Sequence, residues 1–468
     1  MSFNLPQTDQ KRIVIVGGGF AGLKLANRLK NCDMQVVLVD KNNYHQFPPL
    51  IYQIASAGIE PSSIAFPFRK IFQRRSNFFF RKAEVRSIFP DKKIIQTSIG
   101  KVQYDYLVLA AGTTSNYFGN KPIEEEAMPM KTLSESMGIR NALLDNFERA
   151  LTCASEEERQ ELLNIVIVGG GATGVEIAGA LAEMKKYVLP KDYPDMSADL
   201  MHIYLLEAGD RLLAAMSPDT SATVKDYLVG MGIDVRLGCF VSGFENHHVL
   251  LKDGTSIPTR TFIWVSGVKA QPIGNMPEEH IGRGGRIKVD AYNRVPGLDG
   301  VFVIGDQCIM ENADPDYPGG HPQLAQPAIQ QGKLLAENIR RIERGEEPKP
   351  FRYRNLGAMA TVGRNRAVAE FSKVRMKGWF AWIMWLVVHL RSILGVRNKL
   401  IVLFNWVWNY FSYSQSLRLI IYAQKAKEVL DRERLMKSTH WGYDLMSEGV
   451  SDAEKHDKAN TPPDNAGK

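Results

Sequence analysis

The sequence predicts an α/β protein in which one βαβ design is used twice and a helical segment follows. Three observations predict it. A short apolar strand running into a glycine-rich turn occurs twice, as Lys11–Gly22 (KRIVIVGGGFAG) and Asn164–Gly174 (NIVIVGGGATG), so that Gly17 recurs as Gly169, 152 residues on. A second apolar strand with a small-residue end follows each copy. YDYLVLAAG closes at Gly112 and TFIWVSG at Gly267, 90 and 93 residues beyond the respective turns. Two landmarks repeating at nearly one spacing indicate a duplicated domain. The third observation is a change of composition: Ser372 to Lys437 holds twelve Lys and Arg against three Asp and Glu, a local +9 in a chain whose total is +7. The same segment carries five of the seven tryptophans.

Composition bounds the rest. A chain of 468 residues has the length of about three domains. Its 44% hydrophobic and 23% charged residues exclude a disordered or fibrous protein. No run reaches the roughly 18 continuous apolar residues of a spanning helix, which argues against a polytopic membrane protein. Cys32, Cys153, Cys239 and Cys308 lie far apart and form no CxxC, so neither a zinc ribbon nor a local dithiol is indicated, and no metal site is expected. The N-terminus MSFNLPQTDQ lacks the apolar core of a signal peptide, so the expectation is a reducing, cytoplasmic setting. The excess charge sits in one segment interleaved with tryptophan, a pattern suited to a membrane surface and not to nucleic acid.

The elements follow in order. After Gly22, FAGLKLANRLK has helical spacing, and QVVLVD (Gln35–Asp40) reads as a buried strand with an acidic end. After Gly174, VEIAGALAEMKKYVL is helical; the insertion Pro190–Asp199 precedes the strand HIYLLEAG, which contains Glu207. Arg294–Gly305 predicts a further strand ending in Gly305–Asp306. Gln326–Arg341 predicts a helix with Pro327 in its first turn, a favoured place for proline. Glu343–Pro350 reads as a linker, and the polar chain from Glu448 as a disordered tail. The expected division is a first nucleotide domain over 1–120 and 291–345, a second over 121–290, a C-terminal region for membrane association and dimerisation over 346–445, and a tail over 446–468.

Gly17, Gly19 and Gly22 form G-x-G-x-x-G between a strand and a helix, and Gly169, Gly171 and Gly174 repeat it. The first glycine permits the tight turn, the second lets backbone approach a pyrophosphate, and the third packs helix on strand. The phosphates then meet free N–H groups at the helix N-terminus. Asp40 and Glu207 end the next strands, where a carboxylate accepts ribose hydroxyls. At Glu207 this repels a 2′-phosphate and favours NADH over NADPH, although Arg211, four residues on, could receive such a phosphate. Ala111, Gly112 and Gly267, at the small-residue strand ends, complete the cofactor sets. Two nucleotide domains imply two nucleotides, economically a flavin and a nicotinamide.

The order GGGFAG, YDYLVLAAG, GGGATG, TFIWVSG, GVFVIGD resembles the two-dinucleotide-domain flavoprotein superfamily. HQFPPLIYQIA (His45–Ala55), AQPAIQQG (Ala325–Gly332) and WLVVHLRSILGVRNKLIVLFNWVWNYF (Trp385–Phe411) resemble, within it, the type II NADH:quinone oxidoreductases, the non-proton-pumping respiratory NADH dehydrogenases. The resemblance runs over about residues 10–425. It implies two Rossmann-like domains, the first holding FAD and the second NADH, with Gly305 and Asp306 at the flavin ribityl and phosphate. It places Gln326 and Gln330, four apart on one helix face, at the quinone site, where a neutral carboxamide can donate to a quinone carbonyl. The plain alternative is a glutamine-rich surface helix. For Glu176 the family implies a place near the nicotinamide–flavin junction and a proton relay; a carboxylate stabilised by the helix dipole is the equal alternative. Cys308, His45 and His321 read as packing residues.

The C-terminal apolar blocks Trp379–Leu390 and Leu400–Phe411 are each too short to cross a bilayer as helices. With Lys377, Arg391, Arg397, Lys399 and Arg418 around them, they predict monotopic insertion at the cytoplasmic face of the inner (cell) membrane, as a homodimer, with a membrane quinone as electron acceptor. The rivals are a soluble NADH oxidase or ferredoxin reductase of the same superfamily, and a redox sensor that binds NADH and FAD without turnover.

Overall fold

Runs of Ile and Val are stiff at χ1, and a run apolar at every position suits a strand covered on both faces. RIVIV accordingly forms β1 (Arg12–Val16), with Ile13, Val14 and Ile15 fully buried. The computed structural model describes residues 3–372, 374–412 and 417–422. From β1 the chain turns through Gly17 into α1 (Phe20–Arg28), β2 (Gln35–Asp40), α2 (Ile51–Ala55), β3 (Phe78–Lys82) and β4 (Tyr106–Leu109). Strands β3, β2, β1 and β4 lie side by side, every pair parallel.

NIVIV repeats the arrangement. β5 (Met128–Pro129) and α3 (Leu133–Ala150) lead to β6 (Asn164–Val168), followed by α4 (Ala172–Tyr187), β7 (His202–Leu206), β8 (Asp234–Arg236) and β9 (Thr261–Trp264). The order is β5-β9-β6-β7-β8, again all parallel. The chain then returns. β10 (Val301–Val303) pairs with β4 to complete a first sheet of order β10-β4-β1-β2-β3. α5 (Ala325–Glu343) packs on α1 at Gly332, where a Cβ would stand 2.4 Å from the Ala21 carbonyl oxygen. An antiparallel pair, Thr113–Ser115 with Val268–Ala270, ties the two halves.

After α5, the predicted linker Glu343–Pro350 is not free. Asn338 donates to the Lys349 carbonyl and accepts from its N–H, both at 2.8 Å, and Phe351 is buried. A three-stranded antiparallel sheet follows, β11 (Ala358–Gly363), β12 (Arg366–Phe371) and β13 (Val374–Lys377). β11 lies so close to α4 that a Cβ at Gly179 would stand 2.0 Å from the Val362 carbonyl oxygen.

The two apolar blocks form α6 (Trp379–Ser392) and α7 (Val396–Ser412). No helix among the described residues is long and apolar enough to cross a membrane. Each of the two buries one edge, with Ala381, Trp385 and Val402 in the core. The opposite edge leaves Phe380, Leu400, Phe404 and Phe411 exposed by 70%, 60%, 66% and 77%, far beyond ordinary scattered apolar exposure. The chain divides into Met1–Arg418 and Leu419–Lys468. Of the second unit only 419–422 is described, without regular structure, and the predicted tail over 446–468 lies outside the described residues.

Candidate active site

The two glycine turns build matching cradles. α1 starts from Gly19 and α4 from Gly171, and neither has a side-chain cap, whereas α3 begins with a capping box of Thr132 and Glu135. First-turn N–H groups that no side chain satisfies are the anion-binding end of a helix. A Cβ at Gly19 or Gly171 would meet nothing within 4 Å, so the approach is open. At Gly22 and Gly174 a Cβ would lie 1.9 and 1.8 Å from the carbonyl oxygens of Gly17 and Gly169, which are themselves at φ +97 and +120. Each turn thus combines a first glycine at positive φ, a second in open space and a third pressed against the turn's own backbone.

The acidic residues take equivalent positions. Asp40 accepts from the N–H of Gly18 at 2.6 Å and of Asn42 at 2.7 Å. Glu207 accepts from Gly170 at 2.5 Å and Gly209 at 2.7 Å. Each carboxylate shapes its turn and has acceptor capacity beyond those two bonds. Burial raises the Asp40 pKa, opposed by those two N–H bonds. Near Glu207, Arg211 donates to the Ala214 carbonyl at 3.0 Å and Arg236 is paired with Asp234 at 2.8 Å.

Gly17, Asp40, Ala111 and Gly305 follow or end β1, β2, β4 and β10, so the first sheet brings them to one edge. Two glutamines that sequence reading missed hold this edge. Gln307 accepts from the Ala111 N–H at 2.9 Å and Gln331 from the Gly305 N–H at 2.7 Å. Asp306 is half-buried, and desolvation raises its pKa against the opposing charges of Lys131 and Arg286. Lys131, also missed, donates to Thr113 at 2.6 Å. An open glycine turn, the strand-end carboxylate of Asp40 and the half-buried Asp306 on one edge fit FAD. The second sheet offers Gly169–Gly174, Glu207 and Gly267, which fit NADH. Cys308 is buried and its thiol is pushed up to about 11 by that burial, so it is inert. His45 binds the Gly18 carbonyl at 2.9 Å and His321 binds Asp314 at 2.9 Å; both are buried and hold loops.

Glu176 lies in the first turns of α4, buried, and accepts from the Thr361 N–H at 3.4 Å. Burial pushes its pKa up to about 8, so the carboxyl holds its proton at neutral pH. The group lines a cavity of about 130 Å³ with Tyr52 and Gln53 of α2, Glu183 of α4, and Trp385 and Trp406 of the helix pair. Gln53 donates to the Tyr52 hydroxyl and accepts from the Trp406 indole, both at 2.9 Å. The Trp385 indole N–H faces Glu176 but has no partner in hydrogen-bonding geometry, although the residue is only 1% exposed. Glu183 was legible in principle, being seven residues from Glu176 on the same helix face; the aromatic wall was not.

Gln326 and Gln330 do share a face, and both engage the segment after Phe351. Gln326 donates to the Gly357 carbonyl at 2.8 Å and accepts from Tyr353 Oη at 3.1 Å and Leu356 N–H at 3.0 Å. Gln330 donates to the Arg354 carbonyl at 2.8 Å and accepts from its N–H at 3.1 Å. Neither lines the Glu176 cavity.

Residues 11–332 match the pyridine nucleotide-disulphide oxidoreductase family, which defines the class. Residues 355–412 match the NDH2 C-terminal domain. The type II NADH:quinone oxidoreductase Ndh of Mycobacterium tuberculosis is 32% identical over 86% of this chain and 88% of its own length. An internal alternative NAD(P)H-ubiquinone oxidoreductase of Solanum tuberosum mitochondria is 30% identical over 86% and 87%. Among solved structures, NDH2 of Plasmodium falciparum in complex with NADH superposes with TM-score 0.79 at 20% identity, over 88% of this chain and all of that one, a likeness of fold. The chain belongs to the type II NADH:quinone oxidoreductases.

Proposed function

We propose that this protein takes two electrons from NADH and delivers them, through FAD, to a quinone held in a bilayer on whose surface it sits. The observation that carries the reading is the Glu176 cavity, which α4 of the nucleotide-binding half, α2 of the first half and the helix pair α6–α7 all wall together. When bound, FAD supplies the two-electron exchange between nicotinamide and quinone. The protein's own residues do the rest. Glu207 receives the NADH ribose, and Asp40 and Asp306 receive the flavin's sugar groups. Glu176, protonated at neutral pH, is suited to give a proton to a quinone oxygen. Gln326 and Gln330 act at the quinone site by holding residues 353–357 beside the N-terminal end of α5.

The exposed edge of α6 and α7, with Arg391 and Arg397 beside it, supports attachment by shallow insertion. It favours this reading over a soluble oxidase or ferredoxin reductase. We place the protein at the cytoplasmic face of the inner membrane, where NADH is available. We read it as a homodimer that moves no protons across the bilayer, as the resemblance implies. The test is flotation with anionic vesicles, followed by anaerobic NADH oxidation with and without quinone in the bilayer. Binding with strictly quinone-dependent oxidation is expected. NADH oxidation that ignores the quinone, or a protein left unbound, overturns the reading.

A further inference from the structure

Quinone reduction has a proton requirement that the hydride alone does not meet. NADH, one proton and a quinone yield NAD⁺ and a quinol. The hydride brings two electrons and one proton, and the second proton must come from solvent at every turnover. Glu176 is buried, so it needs a way to be reprotonated.

We infer that Glu183 is the entry carboxylate of a proton path that runs along one face of α4, through the cavity, to Glu176. The inference rests on the quinone-reductase reading. Seven residues along an α-helix return to the same face about 10 Å further on, too far for direct transfer between the two acids. The space between them is the cavity of about 130 Å³ that both line, with Ala180 as the small residue on the turn between. That volume holds several waters. The buried Trp385 N–H, which faces Glu176 without a hydrogen bond of full geometry, lines the same space and can donate to one of them. Glu176 is 9% exposed, whereas Glu183 is only half-buried and accepts from the N–H of Arg364.

Every element packed on the path contributes a group. α2 presents the Tyr52 hydroxyl, whose own ionisation burial and both carboxylates suppress. Beyond β11, Arg364 and, on β12, Arg366 face Glu183 and favour its charged form against the burial that raises its pKa. α6 presents the uncharged Trp385, on which His389 stacks at 4.0 Å; burial brings that imidazole down to about 4, so it stays neutral. Arg364 also binds the carbonyls of Asn409 and Tyr410 near the end of α7, which fixes the outer acid to the helix pair. Two cations thus oppose burial at the outer acid, and none does at the inner one.

The test uses the full-length, FAD-loaded enzyme and follows flavin reduction by NADH and reoxidation by a short-chain quinone separately. Glu183→Gln keeps an acceptor for the Arg364 N–H and removes the group that takes up and releases a proton. Reduction by NADH should be unchanged, and reoxidation should slow by about 10-fold or more, most at alkaline pH. Glu183→Asp, or added imidazole with Glu183→Gln, should restore much of the rate. Reoxidation by Glu183→Gln with the wild-type rate and pH profile overturns the path. So does equal damage to both half-reactions, loss of FAD, or failure of both Glu183→Asp and imidazole to restore the rate. If wild-type flavin is not reoxidised by quinone at all, it is the underlying reading that fails.

Discussion

Glu176 titrates far from an ordinary glutamate because helix, sheet and tryptophan bury it, and the Thr361 N–H and Trp385 indole that face it oppose that burial only in part. Its pKa rises from 4.5 to about 8, so the folded state binds the proton more tightly than the unfolded chain does. Its contribution is fully favourable below about 4.5 and is lost as pH rises toward 8, above which folding buries a charge. Glu176→Gln should therefore melt much like the wild type at pH 5 and higher than it at pH 9, by an amount worth up to about 5 kcal/mol. A melting-temperature difference that is flat across that range would show the acid is not held protonated. At the other nucleotide, Glu207→Gln removes the charge that faces a 2′-phosphate while keeping an acceptor for the Gly170 N–H. The kcat/KM for NADPH relative to NADH should rise. An unchanged ratio removes Glu207 from the selectivity argument.

At the scale of elements, α5 and the segment over 353–357 behave as a clasp. Gln326 makes three bonds across it and Gln330 two. Gln326→Ala should slow flavin reoxidation by quinone by about 5- to 30-fold, the value of 1–2 kcal/mol, and leave reduction by NADH nearly intact. Tyr353→Phe removes one of the three bonds and should produce a smaller effect of the same kind. Equal losses in both half-reactions would make the clasp a support for the flavin instead. The glycine turns, Asp40, Glu207 and α5 were legible because local spacing determines them. Gln307 and Gln331 were not, since their partners, Ala111 and Gly305, lie 196 and 26 residues away in sequence. The linker over Glu343–Pro350 looked free for a similar reason: its polar composition does not reveal the pairing with Asn338.

For the whole molecule, the helix pair has two duties that composition alone merges. Trp385 and Val402 close the core, while Phe380, Leu400, Phe404 and Phe411 face outward. Deleting the chain after Phe371 would strip both, so substitutions on the outer face separate them. Phe404→Ser with Phe411→Ser should release the protein from anionic vesicles yet leave FAD binding and reduction by NADH unchanged. Trp385→Ala should instead destabilise the fold by about 3–5 kcal/mol. High salt alone should release only part of the wild type, because each basic residue adds about 1 kcal/mol to a larger apolar term.

The central claim is that electrons pass from NADH to a quinone through this one chain, and anaerobic stopped-flow absorbance of the FAD-loaded protein tests it most directly. NADH should bleach the flavin band within a single turnover, and a quinone added next should restore it at a rate compatible with steady-state NADH oxidation. A flavin that NADH does not bleach, or a bleached flavin that quinone leaves unchanged, would contradict the account.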